Sequence, residues 1–238
     1  EANPQDMYDW KIYCDDLIKS VELFVEKTQK PIILSGHSMG AASAIQVAAI
    51  RPDLVSGLVL VDPVLMTNKI KVIFKIAKKY PLFKNFPIIK QGMMMSEATK
   101  KRRRDWKDKD EIFNSYKNKL IFKTWTETTI RNYIEGGTEI KGDGISLTCD
   151  PLWEAATFSS WKHDAMGLID KLNCPITLLQ AEFNSTARGN GPIKLMQQDK
   201  LGTHKIITGS THFLPMEFPQ IINKEVNNLQ KRINNEKK

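Results

Sequence analysis

Gly36-His37-Ser38-Met39-Gly40 places a serine between two glycines in the pattern G-x-S-x-G. A short apolar run, Pro31-Ile-Ile-Leu34, precedes it, and an Ala-rich stretch, Met39 to Ile50, follows. A serine in a tight turn from strand to helix is held in a strained backbone conformation, with its hydroxyl lifted above the sheet edge. Glycines are expected on both sides, because a side chain there would collide with the neighbouring helix and strand. The Met39 N–H, at the start of the helix, would point to where charge gathers on a carbonyl under attack. The chemistry this pattern suits is nucleophilic acyl transfer, with Met39 as an oxyanion donor.

A serine hydroxyl is a poor nucleophile until a base takes its proton. Of the four histidines, His37 neighbours Ser38, but its side chain is expected to point away and pack behind it. His163 falls in a predicted helix of mixed polarity and reads as filling, and His204 precedes a strand. His212 lies in Gly209-Ser-Thr-His-Phe-Leu-Pro215, after the last predicted strand and before the last helix. Open α/β sheets gather their sites at the carboxyl ends of strands. His212 is therefore the candidate general base for Ser38.

The elements that must bring these groups together are readable from periodicity. Trp10, Tyr13, Leu17, Val21 and Phe24 recur at helical spacing and predict an amphipathic helix over about 7–28. The run Pro31–Leu34 predicts a buried strand, Met39–Ile50 a helix stopped at Arg51-Pro52, and Leu58–Val61 a second strand closed by Asp62-Pro63. Strand, helix, strand at this spacing is a βαβ unit with parallel strands. From Leu65 to about Phe158 the rhythm is lost. Val72, Ile73, Ile76 and Ala77 among lysines predict a helix, 110–133 reads as helical, and Gly136-Gly137 and Gly142-Asp143-Gly144 read as turns. The alternation resumes with a helix over about 161–172, strands at Ile176–Leu179 and Lys205–Ile207, and a final helix through Ile221, Val226, Leu229 and Ile233. The fold class is α/β: a doubly wound, mostly parallel sheet interrupted by a mostly helical insertion, too long for an ordinary loop.

A chain of 238 residues, 41% hydrophobic and 26% charged, can bury a core of ordinary size. No apolar run reaches the length of a transmembrane helix. Cys14, Cys149 and Cys174 are odd in number and scattered, and read as reduced thiols of a cytoplasmic protein. No metal-ligand spacing or phosphate-binding glycine loop is present, so no metal and no cofactor is expected. Between Pro63 and Thr124 stand seventeen Lys/Arg against five Asp/Glu, more than the whole chain's net charge of +8. The run Lys100-Lys-Arg-Arg-Arg104 reads first as a solvated face. The alternatives are that Arg102, Arg103 or Arg104 draws an anionic substrate, or, less favoured, that Lys69–Lys79 docks on an anionic membrane surface. Nucleic-acid binding is not expected, since no recognition module accompanies the charge.

Gly36-His-Ser-Met-Gly40, Leu58-Val-Leu-Val-Asp62-Pro63, Leu178-Leu-Gln-Ala-Glu182 and His212-Phe-Leu-Pro-Met-Glu217 together resemble successive landmarks of the α/β-hydrolase superfamily, in its esterase- and lipase-like form. The resemblance covers residues 5–63 and 160–235. It implies a core in two parts, 1–64 and 159–238, around a helical cap at 65–158. It implies acyl transfer through a Ser-His-acid triad of Ser38, His212 and a carboxylate. The family usually places that acid about where Asn184 stands here, and asparagine cannot stabilise an imidazolium. Asp62, where some family members carry the acid, is the preferred candidate, with Glu182 as the alternative. The resemblance also implies that the first strands and a second oxyanion donor lie upstream of residue 1.

The function expected is hydrolysis of an ester-type acyl bond in a small or lipid-like substrate. Thioesterase, carbon–carbon bond hydrolase and acyltransferase chemistry run on the same triad. A non-catalytic binding module of this fold is the rival from another class.

Overall fold

Val55–Val61 is buried along almost its whole length, on both faces at once. A strand of that kind lies in a sheet covered by helices on each side. The computed structural model of the chain describes residues 9–67, 72–73, 76, 80, 87–160 and 163–236. It divides into two compact units, one of residues 10–71 and 163–238 and the other of 1–9 and 72–162.

The first unit begins with α1, Lys11–Thr28, then β1, Ile32–His37, α2, Met39–Ile50, and β2, Val55–Val61. The second unit then intervenes. Its elements in chain order are α3, Pro87–Lys100; β3, Asp105–Trp106; α4, Lys109–Tyr116; α5, Glu127–Gly136; β4, Thr138–Lys141; β5, Gly144–Leu147; and α6, Pro151–Ser159. The first unit resumes with α7, Ala165–Leu168; β6, Ile176–Ala181; α8, Gly191–Gln198; β7, Thr203–Ile207; α9, Leu214–Glu217; and α10, Pro219–Glu236.

In the first unit the four strands are all parallel, in the order β1-β2-β6-β7. Side chains alternate along a strand. Val59 and Val61 of β2 therefore share a face, where they pack with Leu179, Ile207, and Leu229 and Ile233 of α10. The opposite face of β2 carries Leu58 and Leu60, both fully buried. Helix α2 packs on β1 and β2 and needs no polar stripe, since Ala41 to Ala48 are all buried. The sheet is thus wound on both faces, as its sequence predicts. The strands run further than their apolar runs: β1 continues to His37 and β2 starts at Val55. Parallel pairing extends them, because backbone ladder bonds do not require apolar side chains. The helix expected over 161–172 is instead α7 followed by a 3₁₀ turn at Ile169–Lys171, with Trp161 and Lys162 outside the described residues.

The second unit departs further from its sequence reading. The stretch 110–133, read as helical, holds two helices, because Asp108 caps α4 by accepting from Glu111 N and Thr126 caps α5 by accepting from Thr129 N. A 3₁₀ turn at Leu120–Phe122 lies between them. The turns at 136–137 and 142–144 are present, but they bracket strands that periodicity did not reveal. β3, β5 and β4 form a small antiparallel sheet in that order. β4 is mostly exposed and has no apolar alternation to announce it. The predicted helix at 69–79 lies largely outside the described residues. Among those described, no helix is long and apolar enough to cross a membrane.

Candidate active site

Ser38 ends β1 and caps α2 with φ 55° and ψ −115°, a conformation that costs a non-glycine residue energy. The turn closes tightly. A Cβ on Gly36 would come within 2.5 Å of the Gly40 carbonyl oxygen, so only glycine fits there. Gly40 is different: a Cβ on it would meet nothing within 4 Å. The expectation that both glycines are sterically required therefore holds for Gly36 and fails for Gly40, whose Cα faces open space. The turn is pinned by two backbone bonds, Ser38 N–H to the Val61 carbonyl at 3.0 Å and Val64 N–H to the Ser38 carbonyl at 3.2 Å. Met39, the first residue of α2, belongs to the turn whose N–H groups have no helical carbonyl to bond.

His212 comes from the loop between β7 and α9, 174 residues along the chain from Ser38. Its Nε2 lies 3.0 Å from Ser38 Oγ, and its Nδ1 lies 2.6 Å from Asp62 Oδ2. A carboxylate facing Nδ1 holds the proton on that nitrogen, which leaves Nε2 free to accept from the serine hydroxyl. The loop is itself held. The Glu217 carboxylate accepts from both Thr211 N–H and Thr211 Oγ, each at 2.7 Å. His37 Nε2 donates to the His212 carbonyl at 2.6 Å, and the two rings are tilted with centroids 4.7 Å apart. His37 thus fastens the His212 backbone, in keeping with a place behind the nucleophile.

Asp62 ends β2 and is completely buried, with a positive φ of 42°. Burial alone pushes its carboxyl pKa up. Against that, hydrogen bonds from His212, Ser185 Oγ, Ala181 N–H and Thr186 N–H favour the ionised form, and the balance leaves the pKa below the ordinary aspartate value. The distances are 2.5 Å from Ser185 Oγ, 3.0 Å from Ala181 N and 2.9 Å from Thr186 N. A buried carboxylate without such donors would be neutral or expelled.

The sequence reading did not single out Ser185 and Thr186. The signal available was their place, two hydroxyl residues just past β6, beside the strand that carries Asp62. Glu182 does not approach His212. Its carboxylate accepts from Gly209 N–H at 2.7 Å and so buttresses the turn that leads into the His212 loop. Asn184 is an exposed turn residue with φ 55°. His204 is exposed and pairs with Gln180 at 2.8 Å. His163 is buried in a loop, not a helix, and stacks on Trp10 with centroids 3.9 Å apart. No cluster of three or more His, Cys, Asp or Glu fit to hold a metal occurs among the described residues.

Hydroxyl, imidazole and ionised carboxylate thus stand in line at the carboxyl ends of parallel strands, in an arrangement able to move one proton from serine to imidazole. Residues 3–212 match the serine aminopeptidase, S33 family. The chain belongs to that family. Human monoglyceride lipase is 26% identical to it over 225 residues, a match covering 90% of this chain and 62% of the lipase. This chain therefore spans less than two thirds of that relative's length. The crystal structure of E-2-(acetamidomethylene)succinate hydrolase superposes with a TM-score of 0.69 at 17% identity, over 97% of this chain and 76% of that one. A peroxisomal α/β-hydrolase of Saccharomyces cerevisiae gives 0.69 at 16% identity, over 90% and 57%. The fold is that of the α/β-hydrolases.

Proposed function

We propose that this S33-family protein is a serine hydrolase that cleaves an ester-type acyl bond. Ser38 Oγ attacks the carbonyl carbon while His212 Nε2 takes its proton, and Asp62 holds His212 in the Nδ1–H tautomer and stabilises the imidazolium. The Met39 N–H donates to the oxyanion. His212 then returns the proton to the departing alkoxide, and water, deprotonated by the same imidazole, releases the acid from Ser38. The observation that carries this reading is the unbroken line of contacts from Ser38 Oγ through His212 to Asp62, at 3.0 and 2.6 Å.

Similarity to a human monoglyceride lipase supports a small or lipid-like acyl ester as the substrate class. An alcohol leaving group also asks less of the returned proton than an amine does. A non-catalytic module would have no use for the strain kept at Ser38 or for the buried carboxylate behind His212.

The test is covalent labelling with a fluorophosphonate, followed by turnover of a p-nitrophenyl ester. The expected outcome is an adduct on Ser38, abolished in Ser38→Ala, with turnover reduced by at least about 10³-fold. No Ser38-dependent adduct would overturn the enzyme reading in favour of a binding module. Faster turnover of the matching anilide, thioester or carbon–carbon substrate would move the assignment to that chemistry.

A further inference from the structure

The basic run of the second unit is mostly spoken for. Arg102 pairs with Glu154, Arg103 makes a two-pronged contact with Glu111 at 2.8 and 3.1 Å, and Arg104 bonds Asp150 at 2.5 Å and Ser146 Oγ at 3.2 Å. Two cations on the wall of one cavity lack a carboxylate partner. Lys101 and Lys119 form no ion pair with any described carboxylate, and Glu97 is held by Lys100 at 2.7 Å. Both lysines line one cavity of about 550 Å³, together with Arg102, Arg103, Glu111, Ser115, Trp106 and Tyr116. Partial burial, and then Arg102 close by, hold the Lys119 ammonium below the ordinary lysine pKa. An anion beside the ammonium would offset both costs.

We propose that this cavity binds a phosphate monoester. Once Glu154 and Glu111 have neutralised the two arginines, the walls offer two ammonium groups without a carboxylate, that of Lys119 lying over the Tyr116 ring 4.5 Å from its centroid. A phosphate monoester carries close to two negative charges at neutral pH, so it matches that surplus where a carboxylate would leave one lysine unmatched. The arginine N–H groups not engaged by carboxylates and the Ser115 hydroxyl add donors for its oxygens. A second cavity, of about 370 Å³, shares the Arg102 and Tyr116 walls and is lined further by Ile112, Ile134 and Leu147. An apolar chain on the phosphate has that neighbouring space to enter. The site uses no residue of the Ser38 centre and does not depend on the hydrolase assignment.

Isothermal titration of the protein with inorganic phosphate, glycerol 3-phosphate and a short-chain monomeric acylglycerol phosphate tests this. The phosphate esters are expected to bind, more weakly as salt is raised, and to lose roughly tenfold or more in affinity in the Lys101→Gln/Lys119→Gln double variant. Both lysines are exposed, so that variant is expected to melt like the parent and to label at Ser38 unchanged. Tighter binding of the acylated probe would identify an amphiphile as the source of the phosphate, and equal binding a soluble ester; the phosphate site stands in both cases. No binding of any probe, or binding undiminished in the double variant, would overturn the proposal.

Discussion

At the scale of single residues, the centre depends on a carboxylate that is buried and fully hydrogen-bonded. Asp62→Asn keeps the shape but presents an amide N–H₂ or a lone carbonyl to donors arranged for two oxygens. His212 would lose its hold on the Nδ1–H tautomer, and turnover is expected to fall by about 10⁴-fold with the fold retained. Glu182→Gln can still accept from Gly209 N–H, so its turnover should stay within a few-fold of the parent. Steady-state kinetics on the pair decides between the acids: an unaffected Asp62→Asn enzyme removes Asp62 from the mechanism.

At the scale of elements, two glycines that look equivalent in the motif are not. Gly36→Ala would drive a methyl group into the backbone at Gly40 and is expected to cost at least about 2 kcal/mol. Gly40→Ala meets open space in the first turn of α2 and should be neutral or stabilising, by up to about 1 kcal/mol. Urea unfolding of the two variants measures both, and a Gly36→Ala protein as stable as its parent would contradict the tight elbow. In the second unit, Asp150 caps α6 by accepting from Leu152 N–H at 2.8 Å while also receiving Arg104. Asp150→Ala is expected to cost about 1–2 kcal/mol, most of it the lost cap, because the ion pair is partly exposed and screened. This is the physical use of at least one residue in the basic run: it ties strand-flanking chain to a helix start.

At the scale of the whole molecule, the ionisable groups around Ser38 set a pH dependence of stability. Burial first, and then the neighbouring His212, lower the pKa of His37 from its ordinary 6.5. Between the lowered folded value and 6.5 the unfolded chain binds the proton more readily, so stability rises with pH across that window. The contribution is fully present above pH 6.5 and is lost as pH falls through the folded value. Thermal melts from pH 7.5 down to 5 should show this loss, and His37→Gln, whose amide can still donate to the His212 carbonyl, should flatten it. An unchanged slope in that variant would assign the acid sensitivity elsewhere. Charge is distributed on the same scale. The positive groups are densest over residues 63–124, and carboxylates brought close only by folding consume much of that charge.

The amino-acid sequence by itself determined the parallel sheet, the helix after Ser38 and the identity of the histidine that faces it. Those features rest on local signals: apolar runs with the right period, glycines at a turn, and a loop that must follow a strand. It also named Asp62 as the preferred acid, on a resemblance, while leaving Glu182 open. Only the tertiary structure shows which of the two faces the imidazole: Asp62 Oδ2 lies 2.6 Å from a ring contributed 150 residues away. The same holds for Ser185 and Thr186, whose hydroxyl and amide donors matter only once β2 and β6 lie side by side. The small sheet of the second unit was hidden for a related reason. Its strands are two to four residues long and β4 is mostly exposed, so pairing with distant backbone, not side-chain pattern, decides that they form.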